Sequence, residues 1–226
     1  MKEESTITTG SDILDDLLRG GYETDIVTTI YGPSGSGKSN LAMLALVANS
    51  DKKVFYVDTE SGFSVSRLKQ LTDDYEKVLD NTMLISPGSL EDQGTTFEKL
   101  KNSVSENVGL LIVDSIAMLY RLEVAKTRNV KDINQQLAEQ IANLIRIARD
   151  QGVPVLVTNQ VYSSFENPGE VKLVGGDILK YGSKCLIELR KDNTLRTAIV
   201  QKHRSMAAGE KASFKIVNKG LVLPEE

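Results

Sequence analysis

Tryptophan is missing from this 226-residue chain, and cysteine and histidine occur once each, as Cys185 and His203. A single cysteine excludes an internal disulfide framework and a cysteine-based zinc site; a single histidine excludes a multi-histidine metal centre. Long hydrophobic runs are missing too. The best apolar stretches, such as 110–112 and 153–157, are strand-sized, far below the ~18 residues a membrane span needs. The opening MKEESTITTG is polar and has no apolar region of the secretory kind. The sequence therefore predicts a cytoplasmic protein with no membrane partner and no transition metal.

There is no excess of positive charge. A net charge of −4 and an isoelectric point near 5.3 argue against a basic nucleic-acid coat. The average conceals an asymmetry: residues 178–215 carry nine Lys/Arg against three acids, a net of +6, which leaves −10 for the remainder. An anionic ligand is expected to prefer the C-terminal third. Hydrophobic residues make up 40% and charged residues 26%, enough apolar material for one substantial core.

Short β-rich runs alternate with helix-like stretches, the order of an α/β protein with a mostly parallel central sheet flanked by helices. Residues 25–31 (DIVTTIY) lead into a glycine-rich loop and a helix over about 38–49. KVFYVD (53–58) is the next strand, followed by a helix near 64–71, a short strand around 83–86 and an amphipathic segment over 94–106. VGLLIVD (108–114) reads as a buried strand. Ile133, Leu137, Ile141, Leu144, Ile145 and Ala148 share one face of a long helix over 131–151, which Gly152 stops. VPVLVTN follows as another buried strand, and the polar stretch 162–176, broken by Pro168, reads as a long loop. Beyond Lys184 the pattern is strand-turn-strand, an antiparallel C-terminal extension. No repeat or linker interrupts the chain, so 1–226 is expected to be one domain.

Between the first strand and its helix stands Gly32-Pro33-Ser34-Gly35-Ser36-Gly37-Lys38-Ser39, which fits G-x-x-x-x-G-K-[ST]. Glycines at that spacing let the backbone curl around a phosphate with its N–H groups pointing inward, and the helix that begins there presents its positive end. Lys38 can reach the β/γ-phosphates and the Ser39 hydroxyl can bind Mg²⁺. Asp114 closes an apolar strand. In an open α/β sheet ligands bind beyond the carboxyl ends of the strands, so Asp114 is expected beside the metal. Asp58 ends KVFYVD and Glu60 follows it; either could orient and deprotonate a water, and Asp58 could instead hold the turn. Gln160, after VPVLVTN, could report on the γ-phosphate. Four strand ends aimed at one crevice predict a nucleoside triphosphatase.

These residues together resemble the RecA-like recombinase superfamily, above all its archaeal branch. TTGSDILDDLLRGGYETDIVTTIYG is similar to the lead-in of RadA and KaiC proteins, VDTESGFSVSRL to the catalytic-glutamate segment of RadA, and IVDSIAMLYRLE, INQQLAEQIANLIRIA, VTNQV and GGDIL to its central block. The resemblance covers nearly the whole chain from Thr8 onward. It implies a single RecA-like ATPase domain, without RadA's N-terminal helix-hairpin-helix domain and without its Phe-x-x-Ala polymerisation segment. ATP and Mg²⁺ are the implied ligands, Glu60 the implied catalytic base and Gln160 the residue coupling γ-phosphate state to a DNA loop. Arg67 is implied to pack near the nucleotide base. Lys202 and Arg204 resemble a Lys-x-Arg pair that KaiC-like relatives offer to a neighbour's γ-phosphate. Strand alternation would put that pair on one face with His203 pointing away, a face that could also build a homo-oligomer.

The family's DNA loops would fall at about 121–131 and 162–176. Residues 121–132 carry a net of +2 and 162–177 a net of −2, so DNA binding is expected to be weak and salt-sensitive, through Arg121 and Arg128, with Tyr162 and Phe165 available for stacking. The resemblance thus implies a slow ATPase serving as an accessory of homologous recombination and DNA repair, with a RadA-type recombinase as its partner. A self-sufficient DNA-stimulated recombinase and a KaiC-like signalling ATPase are the alternatives.

Overall fold

The structure, a computed structural model, describes residues 5–104, 107–127, 129–163 and 171–224. In chain order these form β1 (Thr6–Ile7), α1 (Asp12–Leu17), β2 (Tyr22–Glu23), β3 (Val27–Gly32), α2 (Lys38–Ala48), β4 (Lys53–Asp58), α3 (Val65–Leu71), α4 (Tyr75–Asp80), β5 (Thr82–Ile85) and α5 (Leu90–Ser103). The second half comprises β6 (Val108–Asp114), α6 (Met118–Lys126), α7 (Val130–Gln151), β7 (Val155–Ser163), β8 (Val171–Leu173), α8 (Gly176–Gly182), β9 (Cys185–Asp192), β10 (Leu195–Lys202), β11 (Lys211–Val217) and β12 (Gly220–Val222).

One large sheet organises the chain, in the order β12-β11-β10-β9-β3-β7-β6-β4-β5, with β8 paired to β7. Strands β5, β4, β6, β7, β3 and β9 run parallel, and β10 to β12 continue the sheet antiparallel, the RecA-like arrangement expected. The central strands are apolar throughout because both faces of a parallel sheet are covered by crossover helices. Their two-residue period divides them: Val54, Tyr56, Leu110, Ile112 and Leu156 enter the core under α1 to α4, whereas Phe55, Val57, Leu111, Val113 and Val157 enter the core under α5, α7 and α8. Helix α7 lays Leu137, Ile141, Leu144 and Ala148 on the second core, and its C-cap Gly152 takes the left-handed conformation at φ 67°.

Several boundaries differ from the sequence reading. Helix α5 starts at Leu90 rather than 94 because Ser89 caps it, accepting the Asp92 amide at 3.0 Å. The stretch read as a loop over 162–176 holds part of a hairpin: Tyr162 pairs with Lys172 across β7 and β8, and α8 begins at Gly176. The expected first DNA loop is helical as far as Lys126, since Met118–Lys126 runs straight into the crossover toward α7. Short polar helices such as α4 and α6 leave little periodic signal, and tertiary packing decides them.

Candidate functional site

Register brings the site together. Gly32 at the end of β3 lies opposite Gln160 on β7, and Asp58 at the end of β4 lies opposite Asp114 on β6. The chain then turns sharply from β3 into α2. A Cβ on Gly32 would stand 2.4 Å from the Leu189 carbonyl oxygen, and Gly37, the N-cap of α2, has φ 109°; neither place accepts another residue without strain. No side chain caps α2, so its first N–H groups face the loop formed by Pro33, Ser34, Gly35 and Ser36. Lys38 Nζ reaches back over this loop to the carbonyls of Gly32 and Pro33, at 3.0 Å each. Burial lowers the Lys38 pKa, while Glu60 and Asp114 pull it the other way.

Asp114 is buried at the floor of the crevice. It accepts the Tyr56 phenol at 2.9 Å and the Thr158 hydroxyl at 2.5 Å, and the Ser39 hydroxyl is a further donor. Burial raises its pKa above the ordinary carboxylate range, against those three hydrogen bonds. The ambiguity between Asp58 and Glu60 resolves in geometry. Asp58 accepts the backbone amides of Glu60, Gly62 and Phe63 at 3.1, 3.1 and 2.9 Å and so holds the turn after β4. Glu60 faces the crevice, taking hydrogen bonds from Ser115 Oγ at 2.7 Å and Gln160 Nε2 at 2.8 Å.

These donors fit a magnesium nucleotide. Ser39 and Asp114 are hard oxygen ligands side by side, and the Ser36 hydroxyl is buried in the loop with no hydrogen-bond partner. Among the described residues no group of three His, Cys, Asp or Glu side chains could hold a metal by itself, so two protein oxygens would share the ion with phosphate.

The peripheral candidates sit differently from expectation. Arg67 does not extend freely: it donates to the carbonyls of Val217 and Asn218 at 3.0 and 2.9 Å and ties α3 to the β11–β12 turn, next to Ile216 of β11, whose Cδ1 lies 2.6 Å from where a Cβ on Gly37 would stand. Strand β10 ends at Lys202, after a register shift, so the alternation that would put Lys202 and Arg204 on one face does not apply. Lys202 Nζ donates to the carbonyls of Lys180 and Ser183 at 2.9 and 2.7 Å, capping the C-terminal end of α8. Arg204 forks onto Asp25 at 2.9 and 3.1 Å and approaches Glu23 at 3.0 Å; buried His203 faces the same Glu23 at 4.0 Å rather than pointing away. Of the DNA candidates, Arg121 lies on α6 and donates to Gln160, and Tyr162 is half-exposed on β7. Arg128 and Phe165 lie outside the described residues.

Sequence reasoning missed four residues of this site. Tyr56, Thr158 and Ser115 supply hydroxyls to the two carboxylates. Lys191, at the end of β9, places its ammonium 3.3 Å from where a Cβ on Gly35 would stand, a second cation beside the phosphate loop. Thr158 within VTNQ offered a hint of the hydroxyls; nothing local pointed to Lys191.

A sheet of this order with a phosphate loop at its central strand defines a P-loop NTPase of the RecA type. A family model described as Rad51 matches residues 2–223. The protein called DNA repair and recombination protein RadB in Methanobrevibacter smithii is 39% identical, over 98% of this chain and 97% of its own. Its counterpart of the same name in Methanocaldococcus jannaschii is 36% identical over 92% of this chain and 98% of its own. A solved structure titled Crystal structure of the RadB recombinase superposes with a TM-score of 0.83 at 35% identity, covering 97% of this chain and all of that one. The chain belongs to the Rad51 family, among its RadB members.

Proposed function

We propose that the chain is an ATP-binding, slowly ATP-hydrolysing accessory of homologous recombination and DNA repair in the cytoplasm, acting as a mediator for a RadA-type recombinase and touching DNA weakly. The observation that carries it is the meeting of Lys38, Ser39, Asp114, Glu60 and Gln160 at the carboxyl ends of four neighbouring strands. The names of the RadB relatives support the process, and membership of the Rad51 family favours it over a KaiC-like signalling ATPase.

In this reading the loop amides and Lys38 hold the β- and γ-phosphates, with Lys191 adding charge from β9. Bound Mg²⁺, held by Ser39 and Asp114, would neutralise charge on the phosphate oxygens. Glu60 orients a water in line with the γ-phosphorus and takes its proton as the new P–O bond forms and the bond to the β-phosphate oxygen breaks. Gln160, hydrogen-bonded to Glu60, responds to the γ-phosphate. Lys202 and Arg204 have partners within their own chain, so a homo-oligomer through that face would have to draw them away. The test is ATP turnover at low salt, with and without single-stranded DNA, using Lys38→Ala as the blank. Slow turnover that changes when a RadA-type recombinase is added supports the mediator; large stimulation by DNA alone would replace it with a self-sufficient recombinase.

A further inference from the structure

Ser115 and Ile116, the two residues after β6, have all their backbone polar groups paired. Thr59 and Ser115 follow Asp58 and Asp114, which are register partners, so the two stand side by side beyond the ends of β4 and β6. One hydroxyl serves both polar groups of Ser115. The Ser115 amide donates to Thr59 Oγ1 at 3.0 Å, and Thr59 Oγ1 donates to the Ser115 carbonyl at 2.6 Å. Ile116 donates its amide to the Thr158 carbonyl at 3.1 Å, and its own carbonyl accepts Nε2 of the buried Gln93 at 3.2 Å. From this platform Ser115 Oγ donates to Glu60 Oε1 at 2.7 Å, and Gln160 Nε2 donates to the same oxygen at 2.8 Å. A carboxylate oxygen offers about two lone pairs, so two donors fill Oε1. Oε2 takes no hydrogen bond among the described residues.

We propose that Thr59 and Ser115 are positioning residues for hydrolysis: clamped to each other, they fix Glu60 through Oε1 and make Oε2 the oxygen that takes the proton from water. The inference rests on the reading of Glu60 as the base. Glu60 is exposed, and a glutamate turns about three side-chain bonds, so without a tether it would divide its time among several rotamers. A donor on Oε1 also draws charge from the carboxylate and weakens it as a base. Aim outweighs that loss, because the proton moves only when the accepting oxygen lies within hydrogen-bonding reach of the water. Thr59 suits the clamp: β-branching restricts its χ1, so its hydroxyl keeps one direction. Ser115 is buried, which shields the bond it makes from competing water.

The test compares steady-state ATP turnover by the full chain for wild type, Ser115→Ala, Thr59→Val, Thr59→Ser, the double variant Thr59→Val/Ser115→Ala, and Glu60→Gln. Ser115→Ala and Thr59→Val should each lower kcat about fivefold, the rate equivalent of one ordinary hydrogen bond, with KM and the affinity for a fluorescent ATP analogue within about twofold of wild type. Thr59→Ser, which keeps the hydroxyl, should return kcat toward wild type. The double variant should be no slower than the slower single one, an epistasis that a merely structural role would not produce. Ser115→Ala deletes one oxygen and is the variant to rely on if Thr59→Val melts too low to assay. A kcat for Ser115→Ala at or above wild type, or losses that multiply in the double variant, overturns the clamp. Wild-type turnover by Glu60→Gln would instead overturn the assignment of the base, a separate failure.

Discussion

The phenol of Tyr56 donates to the carboxylate of Asp114 across 2.9 Å, from the next strand of the sheet. It helps hold a charge where burial opposes one, for Asp114 is only 3% exposed. Burial raises the Asp114 pKa despite the hydroxyls of Thr158, Ser39 and Tyr56. The folded chain therefore binds this proton more readily than the unfolded one, and the group's contribution to stability falls as pH climbs from the ordinary aspartate range through the raised value.

Asp114→Asn removes that titrating charge. The nucleotide-free protein should melt higher at neutral pH, and its melting temperature should vary less with pH. Mg²⁺-dependent nucleotide binding should be lost at the same time. Calorimetric melts across pH check the first effect; a melt below wild type would show that the three hydrogen bonds outweigh burial.

Glu60→Gln keeps the shape of the side chain and its place beside Ser115 and Gln160 while removing the base. Turnover should fall on the order of 10²-fold or more, with the affinity for a fluorescent ATP analogue within about twofold of wild type. Lys38→Ala should lose both, because the ammonium serves binding as well as the transition state. Equilibrium titration beside steady-state kinetics separates the two variants.

Lys191→Ala should weaken binding of the triphosphate about three- to tenfold and of the diphosphate less, as expected for a partly exposed cation near the outer phosphates. Lys191→Arg should restore most of the difference. Equal losses for both nucleotides would place the ammonium away from the γ-phosphate.

Lys202→Ala should lower the melting temperature by a few degrees, since two carbonyls at the end of α8 lose a charged donor worth about 1.5–3 kcal/mol for such bonds. Burial, with Lys184 and Lys180 nearby, lowers the Lys202 pKa, so the folded chain holds this proton less readily than the unfolded one and the group's contribution to stability grows as pH rises through that lowered value. Turnover per chain should stay the same over a wide range of protein concentration. A concentration-dependent loss of turnover would instead give Lys202 to a neighbouring subunit's nucleotide.

Much of the architecture was legible because it is written in local periods. The short apolar runs KVFYVD and VGLLIVD and the three- and four-residue spacing of Leu137, Ile141 and Leu144 predicted elements that the structure contains. The eight-residue phosphate loop is contiguous, so its backbone geometry follows from residues beside one another. Helices α4 and α6 were not legible, being short and weakly periodic, and the reading of Lys202 and Arg204 failed in its geometry because β10 ends where alternation was assumed to continue.

By itself the sequence determined the α/β class, the phosphate loop, the strand-end acids and the family they resemble, all properties of neighbours along the chain. Only the tertiary structure decided that Asp58 holds a turn while Glu60 faces the crevice, that Lys191 reaches Gly35, and that Gln160 joins Glu60 to Arg121. Those relations join residues far apart in sequence. Strand register and side-chain packing bring them within hydrogen-bonding distance, and no spacing along the chain encodes that.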